Sequence, residues 1–320
     1  MAIRDPHGLA SAFLKEWEEK GMFIKAHTSG STGTPKEIRL AKTDMMASAK
    51  ATCEYFDIDD KSQLLLPLPV DYIAGKMMVV RGLVSGADLT ILSPSNAALS
   101  CQDYPWMTDL VAIVPSQIPS LIEATAKHEF KNVIVGGAPM SPLQEQALKD
   151  SGINAFATYG MTESCSHVAL RRISSNCYEA LPEISFSTDE RNCLIVHSRK
   201  MSFGTLYTND VVKLLSDKSF QWLGRYDNTI NSGGIKIHPE EDEELLAKVI
   251  CDTTFYISSI HHEVWGETPV LVLEGEENGK TAEYLEQAAK LLPKYHAPQK
   301  AIWLNEFERT TSGKIKRNKF

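Results

Sequence analysis

Residues 28–36 combine glycines, hydroxyls and a lysine in a pattern that suits an anion such as phosphate. The segment reads Thr-Ser-Gly-Ser-Thr-Gly-Thr-Pro-Lys and follows residues 22–26, which predict a strand. Its glycines let backbone N–H groups turn towards an anion, its hydroxyls add donors and its lysine adds positive charge. A proline before the lysine excludes the Walker pattern, and composition alone would equally fit a flexible surface turn. The predicted phosphate-binding residues are Thr28, Ser29, Gly30, Ser31, Thr32, Gly33 and Lys36.

Two further segments place glycines and polar groups at the ends of predicted strands, where the ligands of open α/β sheets bind. Gly136 and Gly137 follow a strand predicted at residues 133–135 and would let a flat ring approach the backbone. An ordinary strand-to-helix turn explains that segment equally well in isolation. Residues 158–163, Thr-Tyr-Gly-Met-Thr-Glu, end the next predicted strand with an aromatic ring, a hydroxyl and a carboxylate.

The C-terminal half adds three segments. Residues 207–210 read Tyr-Thr-Asn-Asp, residues 224–228 read Gly-Arg-Tyr-Asp-Asn and precede a Gly-Gly pair at 233–234, and a basic run at 309–317 contains Lys314. Taken alone, a basic run at a chain end is usually a solvated surface.

Taken in order, these segments resemble the motifs of the adenylate-forming superfamily of acyl-CoA synthetases, luciferases and peptide-synthetase adenylation domains. Residues 28–36 resemble its phosphate loop, residues 224–240 its interdomain segment and residues 309–317 its catalytic-lysine motif. Asn209 stands where the family has glycine, and asparagine tolerates left-handed backbone angles better than most residues. The resemblance covers the chain from Thr28 onwards, but the N-terminal region before it is shortened relative to the family.

The resemblance implies a role for each matching residue. The implied nucleotide-binding residues beyond the phosphate loop are Gly136, Gly137, Ala138, Pro139, Thr158, Tyr159, Gly160, Met161, Asp210 and Arg225. The implied catalytic residues are Lys314, Thr162 and Glu163, and Glu163 is also the implied magnesium ligand, since magnesium is well held by one carboxylate together with phosphates. The implied hinge is Asp227, and the implied coenzyme A face contains Gly233, Gly234 and Lys236.

The implied activity is a two-step ligation that uses ATP, Mg²⁺ and coenzyme A. A small-molecule carboxylic acid would become an acyl-AMP, and a rotation of the small domain would then allow transfer to the thiol of coenzyme A. Lys314 and Lys36 would stabilise the charge that develops in the first step. The sequence leaves open a module that loads a carrier protein and a noncatalytic nucleotide-binding relative.

Within the superfamily, residues 158–172 and the Leu-Pro-Leu segment at 66–68 are most similar to o-succinylbenzoate–CoA ligases of menaquinone biosynthesis. That acid carries a second, non-reacting carboxylate, so its pocket needs hydrogen-bond donors. The candidate substrate-binding donors are Lys76, Arg81, Ser166 and His167. Another aryl or short-chain acid is the alternative substrate.

The elements that must position these residues predict an α/β fold. Apolar runs alternate with helical patterns up to residue 183, which indicates a layered large N-terminal domain with a parallel sheet, and short strands after it indicate a small antiparallel part. A helix is predicted at residues 6–20. We predict a large domain at residues 1–226 and a smaller, mobile α+β C-terminal domain at residues 227–320.

Composition narrows the class of protein. The formal charge of −8 is spread along the chain, which argues against a nucleic-acid-binding face. The six cysteines have neither metal-ligand nor disulfide-framework spacing, and no apolar run reaches the ~20 residues of a membrane span. These features predict a cytoplasmic protein with no nucleic-acid or membrane partner, and a homo-oligomer is compatible with them.

Overall fold

The computed structural model describes residues 1–27, 37–101, 103–309 and 315–320. Eight α-helices lie in these residues: α1 (Ser11–Glu18), α2 (Lys42–Tyr55), α3 (Ile73–Ser85), α4 (Ala98–Cys101), α5 (Ile118–Ala124), α6 (Pro142–Asp150), α7 (Pro239–Leu246) and α8 (Thr281–Leu291). The strands up to residue 160 are β1 (Ile3–Arg4), β2 (Phe23–His27), β3 (Glu37–Ala41), β4 (Gln63–Leu66), β5 (Asp88–Ile91), β6 (Met107–Thr108), β7 (Leu110–Ile113), β8 (Glu129–Phe130), β9 (Val133–Val135) and β10 (Ala155–Gly160). The later strands are β11 (His167–Arg172), β12 (Tyr178–Ala180), β13 (Ile184–Thr188), β14 (Cys193–Ser198), β15 (Thr205–Ser216), β16 (Ser219–Arg225), β17 (Ile230–Ser232), β18 (Ile235–Ile237), β19 (Phe255–His262), β20 (Gly266–Glu274) and β21 (Ala301–Leu304).

One twelve-stranded sheet dominates the described part of the chain. Its order is β1-β5-β4-β7-β9-β10-β11-β12-β16-β15-β14-β13. The first six strands pair in parallel, and every pairing from β10–β11 onwards is antiparallel. The predicted α/β class is confirmed, and the antiparallel part continues the parallel sheet.

The alternation of side chains along β4 shows how both faces of the parallel part are covered. Leu64 and Leu66 pack in a core shared with α2 and α3, whereas Leu65 packs in a second core with residues of α5 and α6. Successive strand residues point to opposite faces, so a strand that is apolar at every position needs helices on both sides. The continuous apolar runs of the sequence are explained by this double burial.

Residues after 229 build a second sheet with its own apolar cores. Strands β18, β17, β20 and β19 are neighbours in that order, and β21 pairs in parallel with β20. Ile257 and Leu271 pack with Leu246 of α7 and Tyr284 of α8, separately from the cores of the large sheet. The boundary between residues 226 and 227 falls between these two sets of cores and stays a prediction.

The N-terminal helix is shorter than its apolar periodicity predicts, because α1 begins only at Ser11. Before it, the carboxylate of Asp5 accepts hydrogen bonds from the backbone N–H groups of Leu9 and Ala10, at 2.9 and 2.7 Å. Gly8 adopts a left-handed φ of 66°. This turn competes with helix formation in the way that Asp side chains commonly do.

Two further properties concern cysteines and apolar helices. The cysteines whose side chains are described, at 53, 165, 177, 193 and 251, are free. No described helix has both the length and the apolar character needed to cross a bilayer.

Candidate active site

Strand β10 is the place where the large sheet changes from parallel to antiparallel pairing. Residues 155–157 pair in parallel with residues 133–135 of β9, while Tyr159 and Gly160 pair with Ala169 and His167 of antiparallel β11. Open α/β sheets bind ligands beyond the carboxyl ends of their parallel strands. The ends of β9 and β10 therefore form the framework of the candidate site.

Two glycines are needed for close packing at these strand ends. A Cβ atom on Gly136 would lie 2.4 Å from Oγ1 of Thr158, and one on Gly160 would lie 2.3 Å from the carbonyl oxygen of Ser166. The Thr158 hydroxyl donates to the Val135 carbonyl at 3.3 Å, which ties β10 to the end of β9. Gly137, Ala138 and Pro139 are exposed beyond this contact, on the segment predicted to lie against a base.

The carboxylate of Asp210, on β15, collects donors from β10 and β16. The Tyr159 hydroxyl donates to Oδ2 at 2.7 Å, the Trp222 indole donates to Oδ1 at 3.2 Å, and Nη1 of Arg225 lies 3.8 Å from Oδ1. Thr208 accepts a hydrogen bond from the backbone N–H of Asp210. Burial, together with the Asp210 charge, holds the pKa of Tyr159 well above its usual range, so the phenol stays a donor. The structure thus brings three predicted nucleotide-binding residues together in what we call the Asp210 cluster: Tyr159, Asp210 and Arg225.

The turn after β10 presents the predicted magnesium ligand. Residues Thr162–Ser164 form a short 3₁₀ helix in which Ser164 accepts from the Met161 N–H at 3.1 Å and donates to the Ser166 carbonyl at 2.7 Å. Glu163 is exposed on this turn. Among residues 1–27, 37–101, 103–309 and 315–320, no three His, Cys, Asp or Glu side chains converge in a metal-binding group. A lone exposed carboxylate fits magnesium, whose other ligands are waters and phosphates.

A buried arginine contacts Ser166, the residue whose carbonyl oxygen packs closely against Gly160. Arg81 of α3 is 1% exposed, and its Nη2 donates to the Ser166 hydroxyl at 2.9 Å. Its Nε has no hydrogen-bond partner, and no ion pair joins it to a carboxylate, in the part of the chain that is described. Burial lowers the pKa of Arg81 to about 10, so the guanidinium remains charged at neutral pH.

The His167 ring completes this second group, which we call the Arg81 cluster: Arg81, Ser166 and His167. Its Nδ1 lies 3.3 Å from the Ser166 hydroxyl and its Nε2 lies 3.2 Å from the hydroxyl of Thr52. Burial and then the nearby Arg81 charge hold the pKa of His167 well below its usual range, so the imidazole is neutral. The structure brings these three predicted substrate donors together.

Lys76, the fourth predicted donor, points to a different element. Its ammonium group lies 4.0 Å from the Glu16 carboxylate and 4.8 Å from the centre of the Phe13 ring, both on α1. Lys76 and Arg81 are five residues apart on α3, and five helical steps place side chains on different faces. A role for Lys76 in acid binding stays a prediction.

The predicted hinge and the predicted coenzyme A face follow β16. Nη2 of Arg225 lies 2.9 Å from Oδ2 of Asp227, which is half exposed. Gly233 and Gly234 adopt φ of 57° and 86° at the tip of the β17–β18 hairpin, and Lys236 on β18 is exposed. Such angles favour glycine, and they leave the hairpin backbone open to a ligand.

The phosphate-loop residues 28–36 and Lys314 lie outside the described residues, but their flanks are described. His27 and Glu37 face each other at the open end of the β2–β3 pair. Arg309 forms an isolated bridge with Ile315 and contacts the Glu274 carboxylate through both terminal nitrogens at 2.6 Å. Arg317 contacts the Glu243 carboxylate in the same way, at 2.7 and 2.6 Å. The segments that flank residues 310–314 are therefore anchored on β20 of the second sheet and on helix α7.

Two side chains at the site, Trp222 and Thr52, were not predicted from the sequence. Trp222 and Thr52 contact the two clusters directly. Trp222 lies two residues after the buried Phe220 on β16, so both side chains point to the same face of the sheet. This spacing could have indicated that the Trp222 indole faces inwards. Trp265 is 51% exposed and would collide with a Cβ on Gly233 at 2.5 Å, so it belongs to the face predicted for coenzyme A. The sequence around Thr52 does not predict its role, because the pattern of helix α2 does not indicate that Thr52 contacts His167 of β11.

Comparison with known proteins identifies the class to which this fold and site belong. Residues 15–218 match the model of the AMP-binding enzyme family, which is more than half of the chain, so the protein belongs to that family. An acyl-CoA synthetase (AMP-forming)/AMP-acid ligase II-like protein from Dyadobacter fermentans is 32% identical, with a TM-score of 0.66 over 98% of this chain and 93% of that one.

Curated relatives narrow the resemblance further. The chain is 24% identical to a 2-succinylbenzoate–CoA ligase of Enterococcus faecalis, over 99% of this chain and 73% of that protein. It is 27% identical to the Escherichia coli 2-succinylbenzoate–CoA ligase, over 82% of this chain and 61% of that protein. The o-succinylbenzoate coenzyme A synthetase of Bacillus subtilis, solved with ATP and a magnesium ion, shares the fold with a TM-score of 0.78 at 20% identity, over 92% of this chain and 68% of that one. The chain therefore spans about two thirds of the length of these ligases.

Proposed function

We propose that the protein is an ATP-dependent carboxylic acid–CoA ligase whose acid is 2-succinylbenzoate. Membership of the AMP-binding enzyme family supports the adenylate-forming chemistry. The similarity to 2-succinylbenzoate–CoA ligases supports the choice of acid. The structural observation that carries the proposal is the buried charge of Arg81.

A buried guanidinium without a carboxylate partner is costly, because its charge has been removed from water without compensation. Arg81 has only the Ser166 hydroxyl as a hydrogen-bond partner among the described residues, and its Nε is left over. A ligand carboxylate would supply the missing negative charge and could accept two parallel hydrogen bonds from the guanidinium. An acid with a second, non-reacting carboxylate suits this requirement, whereas a simple aryl or aliphatic acid would leave the charge unpaired.

The position of the Arg81 cluster supports binding of the acid beside the nucleotide. Gly160 faces His167 in the β10–β11 pairing, and Tyr159 of the Asp210 cluster directly precedes Gly160. The two clusters thus meet the same strand end, at the adjacent residues Tyr159 and Gly160. An acid held by Arg81 would place its reacting carboxylate near the nucleotide without any rearrangement of the sheet.

The chemistry follows two balanced steps. In the first, an oxygen of the acid forms a bond to the α-phosphorus of ATP while the bond from that phosphorus to pyrophosphate breaks. In the second, the thiolate of coenzyme A forms a bond to the acyl carbon while the bond to AMP breaks. Magnesium, when bound through Glu163 and the phosphates, would offset the negative charge of the pyrophosphate.

The residues of the chain would act by holding and neutralising these groups. We assign the ribose hydroxyls to Asp210, which can accept two hydrogen bonds, and the phosphates to residues 28–36. Lys314 would approach the α-phosphate in the first step. The face that contains Gly233, Gly234 and Lys236 would replace it after rotation about Asp227, within the proposed domains 1–226 and 227–320.

The test is ATP–pyrophosphate exchange with a panel of acids, followed by product analysis with coenzyme A. We expect exchange with 2-succinylbenzoate to exceed exchange with benzoate and with short-chain acids, and the thioester to form without a carrier protein. Exchange with every acid except 2-succinylbenzoate would contradict the choice of acid. Nucleotide binding without exchange for any acid would contradict the ligase activity itself.

The proposed role of Lys314 has its own test, with Lys316→Ala as the matched control. Lys314→Ala should slow adenylation about 100- to 1,000-fold, because one donor aimed at developing charge contributes that much. Lys316 is exposed and lies 3.6 Å from the Glu308 carboxylate, so its loss should leave the rate nearly unchanged. Equal rates for both variants would contradict the role of Lys314.

The proposed partners are small molecules: the acid, ATP and coenzyme A. We also infer a cytoplasmic location, which the free state of the five described cysteines supports. Fractionation of cells that produce the protein would test the location, and light scattering would give its oligomeric state.

A further inference from the structure

Glu240, at the start of α7, has a carboxylate that is buried and only partly satisfied. Its side chain is 9% exposed. Oε1 accepts a hydrogen bond from Nδ2 of Asn228 at 2.5 Å and lies 3.7 Å from Nη1 of Arg317. Oε2 has no hydrogen-bond partner among the residues that the structure describes. A buried acceptor in this state calls for an explanation, since buried polar atoms are almost always paired.

The unpaired oxygen lies directly against the backbone of Gly224. A Cβ atom at position 224 would meet Oε2 at 2.4 Å, and Gly224 has a φ of 152°. Glycine is therefore required at this position for two reasons, the backbone angle and the space that the Glu240 carboxylate occupies.

These contacts fall on both sides of the predicted hinge. Gly224 precedes Asp227, whereas Asn228, Glu240 and Arg317 all follow it. A rotation about Asp227 would carry Glu240 away from Gly224 while its contacts with Asn228 and Arg317 remain intact. The contact with Gly224 is thus specific to the arrangement seen in this structure.

Arg317 extends the network to the segment that carries Lys314. Its guanidinium is anchored on Glu243, one helical turn beyond Glu240, and it lies three residues after Lys314. One carboxylate therefore touches the strand before the hinge, the residue after the hinge and the anchor of the lysine segment.

We propose that Glu240 is a positioning residue that sets the balance between the two arrangements of the C-terminal part. This inference rests on the proposed function, because it assigns the two arrangements to the two half-reactions. The uncompensated oxygen destabilises the arrangement in which Glu240 meets Gly224, and rotation relieves that destabilisation. The enzyme can consequently leave this arrangement once the half-reaction that uses it is complete.

The central variant is Glu240→Gln in the full chain, with Glu286→Gln as the matched control. Glutamine keeps an acceptor for Asn228 but removes the buried charge, so it should stabilise the arrangement seen here. Glu286 is exposed on α8 and pairs with Lys290 of the same helix, so its substitution makes the same change of charge away from the Glu240 network. Gly224→Ala should act in the opposite direction, since the added methyl group displaces the carboxylate.

The first readout is energy transfer between dyes on exposed Cys251 and on a cysteine introduced at Lys127, in a Cys177→Ser background. Glu240→Gln should narrow the distance distribution around one population, and Gly224→Ala should move it to the other. The control should leave it unchanged. An unchanged distribution in Glu240→Gln, or shifts of both variants in the same direction, would overturn the inference.

The second readout is the ratio of the two half-reactions, adenylation by pyrophosphate exchange and thioester formation from isolated acyl-adenylate. Glu240→Gln should change the ratio of the two rates about tenfold, in favour of the half-reaction that uses the arrangement seen here. A tenfold shift between the two populations would produce this change. An equal loss in both would indicate a purely structural role and would also overturn the inference. If the unmodified protein adenylates no acid but the distances still shift, the proposed function fails while the role of Glu240 in the hinge stands.

Discussion

The Asp210 cluster and the Arg81 cluster both border the end of β10, yet they are prepared for their ligands in opposite ways. Asp210 receives hydrogen bonds from Tyr159 and Trp222 and lies near Arg225. Arg81 has one hydroxyl partner and no carboxylate within the described residues. The first charge is compensated before any ligand arrives, and the second is not.

This difference predicts that the two clusters contribute differently to ligand binding and to the stability of the folded protein. A compensated group stabilises the folded protein as well as the ligand, so its loss should damage both. An uncompensated buried charge costs folding free energy, and only a ligand of opposite charge recovers it. The Asp210 cluster should therefore serve any reaction of ATP in this fold, whereas the Arg81 cluster should select the acid.

The largest expected effect comes from Arg81→Met, which removes the uncompensated charge. We expect kcat/KM for 2-succinylbenzoate to fall about 100- to 1,000-fold, because loss of one partner of a buried charge pair costs about 2–5 kcal/mol. The free energy of unfolding should stay equal or rise, since an unpaired charge is replaced by an apolar side chain. Steady-state kinetics and denaturant unfolding measure the two quantities. A KM for ATP that changes as much as the KM for the acid would refute the assignment to the acid.

The second prediction concerns Asp210→Asn, which removes the compensated charge. The KM for ATP should rise about 10- to 100-fold, because the ribose loses a charged acceptor, and the free energy of unfolding should fall by about 1–3 kcal/mol, because Arg225 loses its ion pair. The KM for the acid should change much less. Increased stability in this variant would show that the two clusters do not differ as described.

The pH dependence of stability tests the Arg81 cluster further, because the pKa of His167 is depressed by burial and by the charge of Arg81. Between its folded pKa and about 6.5 the unfolded state binds more protons at this site than the folded state does. Stability should consequently fall as pH decreases below 6.5, by up to about 1.4 kcal/mol per pH unit, with no contribution above that pH. Unfolding of His167→Gln at several pH values should show a shallower decrease. Identical slopes for the two proteins would assign the pH dependence to other groups.

Tyr159→Phe should have the smallest effect. It removes one hydrogen bond to Asp210, while Trp222 and Arg225 remain, so we expect a loss of about 1 kcal/mol in stability and a KM for ATP raised about fivefold. The pKa of Tyr159 is raised, so the difference should be constant up to pH 9. A larger effect than that of Asp210→Asn would place the main contact on the phenol.

Several elements could be predicted from the sequence because their signals are local. The strand at residues 133–135 is found with the predicted bounds, and the helix that begins at Pro239 is found with an earlier end. Long-range pairing leaves no such signal, so strand β11, which aligns His167 with Gly160, was not predicted as a strand. The shorter α1 reflects a turn around Asp5 that apolar periodicity cannot detect.

The same distinction applies to the site. Tyr159, Asp210 and Arg225 were predicted from family motifs, and the structure brings them together. Arg81 was predicted as a donor together with Lys76, but the absence of a counter-charge at Arg81 emerges only from packing in three dimensions. No role was predicted for Trp222, or for Glu240 within the interdomain segment, because their importance lies in what they touch across the fold.

The two anchored flanks of residues 310–314 have a consequence for the reach of Lys314, the proposed catalytic lysine. Arg309 is anchored on Glu274 of β20 and Arg317 on Glu243 of α7, so both ends of this segment are held by the C-terminal part of the fold. The length of the segment can then change without a change in the packing of the C-terminal part. Insertion or deletion of one residue between Arg309 and Arg317 would increase or decrease the distance that Lys314 can reach and leave the apolar cores unchanged.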